Sequence, residues 1–213
     1  PGDRLNILAF PTHERWQSGL AGCNADFFLF RGEGIKEWDH RFAPLPSNHT
    51  LLDPTLGEGQ IPSDLTFDLI LAQSLGQVRV AQHLSRKGHL PFIRMEHTLP
   101  PPSVPSDEVL RLGKILGHLN ATCSANNREQ WGLPANTRIV HHGIDTDFFI
   151  PGNEKRKQHC LSVVNDFINR DVFCGYRIWK EATEGLPVHI VGNTPGLSEA
   201  AKDINELRSF YQQ

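Results

Sequence analysis

Pairs of polar residues follow two apolar, strand-like runs of the sequence, in positions suited to chemistry. His13 and Glu14 come after the first apolar run, and Glu96 and His97 end the run that starts at Pro91. Open α/β sheets bind ligands just beyond the carboxyl ends of their strands, so these residues are candidates for a ligand cleft. Their imidazole and carboxylate groups could also bind a metal ion, provided that the two strand ends are neighbours.

Arg170 is the candidate for binding a phosphate-bearing ligand. It follows a strand-like run at 161–164 and precedes a helical pattern from Asp171 to Glu184. A guanidinium group can make two parallel hydrogen bonds to phosphate oxygens, which an ammonium group cannot. A helix N-terminus beside it would add a favourable dipole. An exposed arginine without a ligand explains the same pattern equally well.

Two further motifs have the composition of metal sites but not the expected context. The D-x-D sequence at 145–147 follows a glycine turn in a predicted linker, so we do not expect it to hold a metal ion. His141 and His142 lie in a predicted strand from Arg138 to His142. Successive side chains of a strand point to opposite faces, so these two rings are not expected to share a metal ion.

Strand-like and helix-like patterns alternate along the chain. Strands are predicted at 5–10, 25–30, 67–72, 91–95, 121–124 and 138–142. Helices are predicted at 77–86, from Ser106 or Asp107 through Leu119, and as one turn at 126–131. The proline-rich stretch 37–65 is predicted to be irregular with one short edge strand. This alternation predicts an α/β fold with a doubly wound, Rossmann-type parallel sheet.

The stretch from Arg138 to Gly152 is predicted to link two domains. The first domain is predicted at 1–150 and the second at 151–213. The second part repeats the pattern with strands at 161–164 and 187–191, the helix at 171–184, and a helix capped by Ser198. Two parallel strands leave apolar surface uncovered. We therefore expect this Rossmann-type domain to be incomplete and to continue beyond Gln213.

Composition excludes some classes of function. The 213 residues carry a formal net charge of −3, with a pI near 6.4. The sequence therefore lacks the excess of positive charge that is typical of nucleic-acid-binding proteins. The four cysteines show no C-x-x-C pair, which favours a reduced, cytoplasmic protein. Cys123 and Cys160 lie in strand-like runs, where a free thiol behaves as a small apolar group. Peripheral contact with a membrane, through the basic cluster Lys155–Lys157, is an alternative that the sequence leaves open.

The order of elements and the handover sequence HHGIDTDFFIPG resemble the GT-B glycosyltransferases, in particular their retaining family 4 group. The residues that match the family pattern of the handover are Gly143, Ile144, Asp145, Phe149 and Pro151. The resemblance implies a GT-B-like fold and transfer of a sugar from a nucleotide-sugar donor to a carbohydrate or lipid-linked acceptor, with retention and without a metal cofactor.

The resemblance also implies roles for single residues. His97 would face the acceptor and the anomeric centre as the catalytic residue. Gly19, Arg170 and Gly192 would bind the donor, whereas His13, Glu14 and Asp145 would line the cleft on the acceptor side.

Three departures from the family pattern stand against a complete enzyme. The loop after the first strand has only Gly19, Arg177 is a weak substitute for the expected lysine, and the E-x7-E segment is absent. The chain alone is therefore not expected to complete catalysis. A non-catalytic sugar- or nucleotide-binding module and a nucleotide-sugar epimerase remain as alternatives.

Overall fold

The computed structural model describes residues 3–153 and 155–213. It divides into two compact units, of which the first ends at Gly143 and the second runs from Ile144 to Gln213. The sequence analysis placed this boundary at residue 150. Residues 144–150 go with the second unit because they pack on its last helix, where the rings of Phe149 and Tyr211 meet edge to face with centroids 5.8 Å apart.

The first unit is built on one parallel sheet. Its strands are β1 (Leu5–Ala9), β2 (Ala25–Leu29), β3 (His49–Leu51), β4 (Leu69–Ala72), β5 (Phe92–Glu96), β6 (Leu119–Thr122) and β7 (Arg138–Ile139). All neighbouring pairs are parallel, in the order β3-β2-β1-β4-β5-β6-β7. The predicted α/β class with a Rossmann-type parallel sheet is confirmed.

The core lies on both faces of this sheet, as the continuous apolar sequence of β1 predicts. Leu8 packs in one buried cluster, and Ile7 and Ala9 pack in another cluster on the opposite face. The predicted helix around Val78 is also confirmed, because Val78, Ala81 and Leu84 are buried against the first of these clusters.

Four α-helices and two short 3-10 segments connect the strands. The helices are α1 (Glu14–Ser18), α2 (Leu75–Gly88), α3 (Ser106–Gly113) and α4 (Ala125–Gln130), and the 3-10 segments are Gly19–Gly22 and Pro54–Gln60. The predicted edge strand within 37–65 is present as β3. Asp53 caps the second 3-10 segment by accepting a hydrogen bond from the backbone of Thr55 at 3.0 Å.

Helix α3 ends six residues before Leu119, so the predicted continuation of this helix is wrong. A Cβ on Gly113 would lie 2.1 Å from a backbone oxygen in the turn after α4, which shows how closely the two segments approach. The carbonyls of Leu112 and Ile115 each accept a hydrogen bond of 2.8 Å from Nη1 of Arg94. Tertiary contacts therefore override a helical pattern that the sequence continues.

The second unit has a two-stranded parallel sheet. It contains β8 (Cys160–Val163), α5 (Asp171–Cys174), α6 (Tyr176–Ala182), β9 (Val188–Val191) and α7 (Ile204–Tyr211). The single helix predicted at 171–184 is divided at Gly175, whose φ of 69° is left-handed. Among the described residues, no helix has the length and apolar character needed to cross a membrane.

The last helix begins later than predicted. Asp203 caps α7 by accepting hydrogen bonds from the backbone of Asn205 and Glu206 at 2.8 and 2.9 Å. Ser198 was the predicted cap, but its hydroxyl donates a hydrogen bond of 2.7 Å to the carbonyl of Gly192 instead. Ser198 therefore closes a loop and does not start a helix.

Candidate functional site

Polar side chains meet at the carboxyl edge of the seven-stranded sheet. Gln73, His97 and Cys123 are the first residues after β4, β5 and β6, and Trp16 lies in α1 after β1. The chain leaves β1 toward β2 on one side and builds β4 to β7 on the other. Doubly wound sheets bind ligands at such a change of direction.

Three of the side chains form what we term the histidine–cysteine cluster: His97, Cys123 and His142. Nδ1 of His97 lies 3.4 Å from Nε2 of His142 and 3.7 Å from Sγ of Cys123, and Sγ lies 2.8 Å from Nε2 of His142. The ring of Trp16 packs against both imidazoles, with centroids 4.4 and 4.8 Å away. The cluster therefore has an aromatic wall and three donor atoms facing one another.

The sequence analysis missed two members of the cluster. Cys123 was read as an apolar thiol, and His142 was set aside because Arg138 to His142 was predicted as a strand. Strand β7 ends at Ile139, so the alternation argument does not apply to His142. No sequence signal marks Cys123: the predicted strand 121–124 contains it, and only the observed end of β6 at Thr122 places it directly after a strand, like His97.

His97 is held by a hydrogen-bond network of five side chains: Trp16, Gln17, Asn48, His49 and Gln73. Oε1 of Gln73 accepts a hydrogen bond from Nε1 of Trp16 and lies 3.4 Å from Nε2 of His97. Nε2 of Gln73 donates to Oε1 of Gln17 at 2.6 Å. The indole N–H can only donate. It therefore fixes which end of the Gln73 amide faces His97.

The far end of the network is fixed in the same way. Nδ2 of Asn48 donates hydrogen bonds to two backbone carbonyls, at 2.9 and 3.3 Å, so its Oδ1 faces His49. Nδ1 of His49 then donates to that oxygen at 3.0 Å, and Nε2 of His49 accepts from Nε2 of Gln17 at 3.2 Å. All five side chains are consistent with one assignment of donors and acceptors, in which the Nδ1 lone pair of His97 faces Cys123 and His142.

Burial keeps two groups of the cluster, His97 and Cys123, uncharged. Burial, together with the smaller effect of the charges of His142 and His13, lowers the pKa of His97 to about 4. It also raises the pKa of the Cys123 thiol. A neutral imidazole and a neutral thiol therefore face each other at neutral pH.

His49 gives the fold a predicted dependence on pH. It is only 5 % exposed, and burial lowers its pKa to about 4 from the ordinary 6.5. Below pH 6.5 the imidazole of His49 takes up a proton in the unfolded chain but not in the folded chain. The contribution of neutral His49 to stability is therefore fully present above pH 6.5 and is lost as the pH falls to about 4. We expect the loss to be roughly 2 to 3 kcal/mol.

The measurement for this prediction is the free energy of unfolding at pH 7.5 and 4.5, for the natural chain and for His49→Gln. The variant should lose less stability between the two pH values than the natural chain, whereas His40→Gln, at an exposed site, should match the natural chain. An equal pH dependence in His49→Gln would show that His49 does not contribute.

His13 and Glu14 differ in their surroundings. His13 is exposed at the start of α1, near enough to His97 for its charge to act on that ring. Glu14 is buried, pairs with Lys36, and accepts a hydrogen bond of 2.9 Å from the backbone of Asp39. Its carboxylate therefore holds the loop after β2, and its predicted place in a cleft stays a prediction.

The carboxylate of Glu96 is buried and pairs with Arg94. Nε of Arg94 donates to its Oε1 at 3.0 Å, and Arg94 is fully buried above the ring of Trp131. The sequence left open a metal site formed by His13, Glu14, Glu96 and His97. Of these four, His97 alone belongs to the group of possible metal ligands found among the described residues.

The donor-side candidates lie in different local settings. Gly19 starts a 3-10 segment, and a Cβ there would meet no atom within 4 Å. Gly192 has a φ of 146°, and a Cβ there would lie 1.8 Å from the carbonyl oxygen of Val164, so this turn requires glycine whatever it binds. Arg170 is exposed directly before α5.

Asp145 and Arg177 already have partners within the second unit. Oδ1 of Asp145 accepts hydrogen bonds of 3.0 Å from the backbone of Asp147 and Phe148. Nε of Arg177 donates to the carboxylate of Asp171 at 2.5 Å. These contacts explain the local turn at 145–148, and they leave the predicted cleft role of Asp145 untested.

Comparison with known proteins finds similarity of structure but no match of sequence. No protein-family model and no curated protein matches the sequence. Among solved structures, the chain is similar to Anabaena HepE, whose crystal structure is a complex with UDP. The two share 14% sequence identity with a TM-score of 0.49, over 96% of this chain and 71% of that chain.

Proposed function

We propose that this protein is a glycosyltransferase that moves a sugar from a nucleotide-sugar donor to a carbohydrate or lipid-linked acceptor. The observation that carries the proposal is the position and support of His97. Its ring follows β5 at the carboxyl edge of a doubly wound sheet, is half-buried against Trp16, and is oriented by Gln73. The resemblance to the family 4 group of GT-B glycosyltransferases supports the same role for this histidine.

His97 suits the binding of a sugar at the reacting centre. Its Nδ1 lone pair can accept a hydrogen bond from a sugar hydroxyl, and Trp16 offers an apolar surface with a polar edge, a usual combination in ligand sites. During transfer, the bond from the anomeric carbon to the diphosphate breaks and a bond to the acceptor oxygen forms. The acceptor hydroxyl gives up its proton to the leaving diphosphate or to solvent, and the family resemblance supports retention of configuration.

Arg170 is proposed to bind the donor diphosphate, which would make a metal ion unnecessary for that step. Negative charge develops on the leaving diphosphate, and a guanidinium group can bind two of its oxygens at once. Arg170 is exposed and directly precedes α5, which leaves its side chain accessible to such a ligand.

Replacing Arg170 by Ala should weaken binding of the nucleotide sugar about 10- to 100-fold, because a hydrogen bond to a charged group contributes about 1.5–3 kcal/mol. Arg170→Lys should recover only part of the affinity, since lysine lacks the planar fork. Lys180→Ala, at an exposed position of α6, is the matched control and should bind normally. Titration calorimetry with the nucleotide sugar that the natural chain binds measures the affinity of all three variants. Normal binding by Arg170→Ala would show that Arg170 does not contribute to the donor site.

A panel of UDP-, GDP- and ADP-sugars, each with and without carbohydrate acceptors, tests the proposed activity on the full-length protein, since residues 1–213 alone are not expected to complete catalysis. A transferase should release the nucleoside diphosphate and form a glycosylated acceptor in equal amounts. Conversion of the donor sugar without an acceptor would favour an epimerase. Tight donor binding without any turnover would favour a binding module, and both results would overturn the proposal.

A further inference from the structure

The histidine–cysteine cluster has the geometry of a metal site. A tetrahedral Zn²⁺ ion with Zn–N bonds of about 2.0–2.1 Å and a Zn–S bond of about 2.3 Å sets two nitrogens about 3.3 Å apart, and nitrogen and sulfur about 3.6 Å apart. Nδ1 of His97 lies 3.4 Å from Nε2 of His142 and 3.7 Å from Sγ of Cys123. Two of the three ligand separations therefore already match.

The third separation requires a small movement of an exposed group. Sγ of Cys123 and Nε2 of His142 lie 2.8 Å apart, which is closer than a shared zinc ion allows. His142 is exposed and lies beyond the end of β7, so its ring can turn outward. The other two ligands directly follow β5 and β6, which pair with each other over four residue positions and hold them in register.

The hydrogen-bond network supplies the outer support that histidine ligands usually have. A metal-bound imidazole normally donates its other N–H to an oxygen, which fixes the ring and its tautomer. Nε2 of His97 lies 3.4 Å from Oε1 of Gln73, and the donors on Trp16 and Asn48 fix the orientation of the whole network. His97 is therefore set with its lone pair toward Cys123 and His142.

We propose that His97, Cys123 and His142 bind one Zn²⁺ ion, with solvent as the fourth ligand. Two imidazoles and one thiolate favour zinc over the oxygen-seeking cations Mg²⁺ and Ca²⁺. The thiol of Cys123 loses its proton to solvent as the metal binds. This site departs from the family-based expectation of a protein without a metal.

Zinc binding has a consequence for turnover, which rests on the proposed function. The ion takes the same Nδ1 lone pair of His97 that the sugar would use. Occupancy of the cluster should therefore inhibit transfer, and a chelator should restore it. The binding itself stands independently of any transferase activity.

Titration of the metal-free protein with Co²⁺ tests the site directly, because cobalt bound to a thiolate gives an absorption band that cobalt bound to nitrogen and oxygen alone does not. We expect one equivalent of Co²⁺, displaced by Zn²⁺, with the band present. Cys123→Ser should lose the band, and His142→Ala should bind at least about 10-fold more weakly. Circular dichroism checks that both variants are folded.

The controls come from the same chain. Cys23→Ser removes an exposed thiol and His141→Ala removes the adjacent exposed imidazole, and both should bind cobalt like the natural chain. Cys160 lies beside the His159–His189 ring pair of the second unit, whose centroids are 5.5 Å apart. Absence of the band, its survival in Cys123→Ser, or its loss in Cys160→Ser would overturn the proposal.

Discussion

Replacing His97 by Ala should lower the rate of sugar transfer by about 100-fold or more, with donor affinity little changed. An imidazole that is positioned to act on a reacting centre typically accelerates the reaction by a factor of this size. The ring lies beyond β5 and contacts Trp16 and the network, so its loss should affect the sugar more than the diphosphate. Initial rates over a range of donor concentrations separate the two effects.

The controls for this prediction distinguish chemistry from folding. His141→Ala removes an exposed imidazole that has no assigned role and should transfer at the natural rate. His97→Asn keeps an acceptor for a sugar hydroxyl and should recover part of the activity. The assays contain a chelator, so that metal binding at the cluster does not enter the comparison. An unchanged rate in His97→Ala would contradict the assigned role.

The second large effect concerns stability, at the buried ion pair beneath the site. Arg94 is fully buried, and its Nε donates to Oε1 of Glu96 at 3.0 Å. Its Nη1 donates to the carbonyls of Leu112 and Ile115, each at 2.8 Å. Arg94→Met should cost about 3–5 kcal/mol in the free energy of unfolding, because it leaves a buried carboxylate without its partner.

The paired variant makes this prediction specific. Burial already raises the pKa of Glu96, and the charge of Arg94 opposes that rise. Replacing both residues, as Arg94→Met with Glu96→Leu, should therefore cost less than Arg94→Met alone. Arg79→Met, which removes an exposed partner of Glu108 at 3.6 Å, should be close to neutral. Urea denaturation measures all four chains, and a cost below about 1 kcal/mol for Arg94→Met would contradict the account.

Local patterns predict the sheet but not the contacts between its ends. The apolar runs at β1, β4 and β5 identify parallel strands, and position alone identifies His97. Cys123 joins the site only because β6 pairs with β5 in a register that places it beside that ring. Pairing in a sheet is a tertiary property, so no spacing along the sequence could have shown this contact.

The errors in the helix predictions have similar causes. The apolar spacing after Gly113 continues a helix, but a close backbone approach at this glycine and the two carbonyls bound by Arg94 end it. The pattern at 171–184 also reads as one helix, but Gly175 adopts a left-handed conformation between α5 and α6. Arg94 itself lies in an apolar run, where its full burial could not be predicted.

A structure of the protein with a nucleotide-sugar donor, taken from the panel that supports turnover, would test the central claim most directly. The account predicts that a hydroxyl of the donor sugar lies within hydrogen-bond distance of Nδ1 of His97, with Gln73 still bound to the opposite nitrogen. A donor sugar bound away from His97, with the cluster and network unchanged, would contradict it.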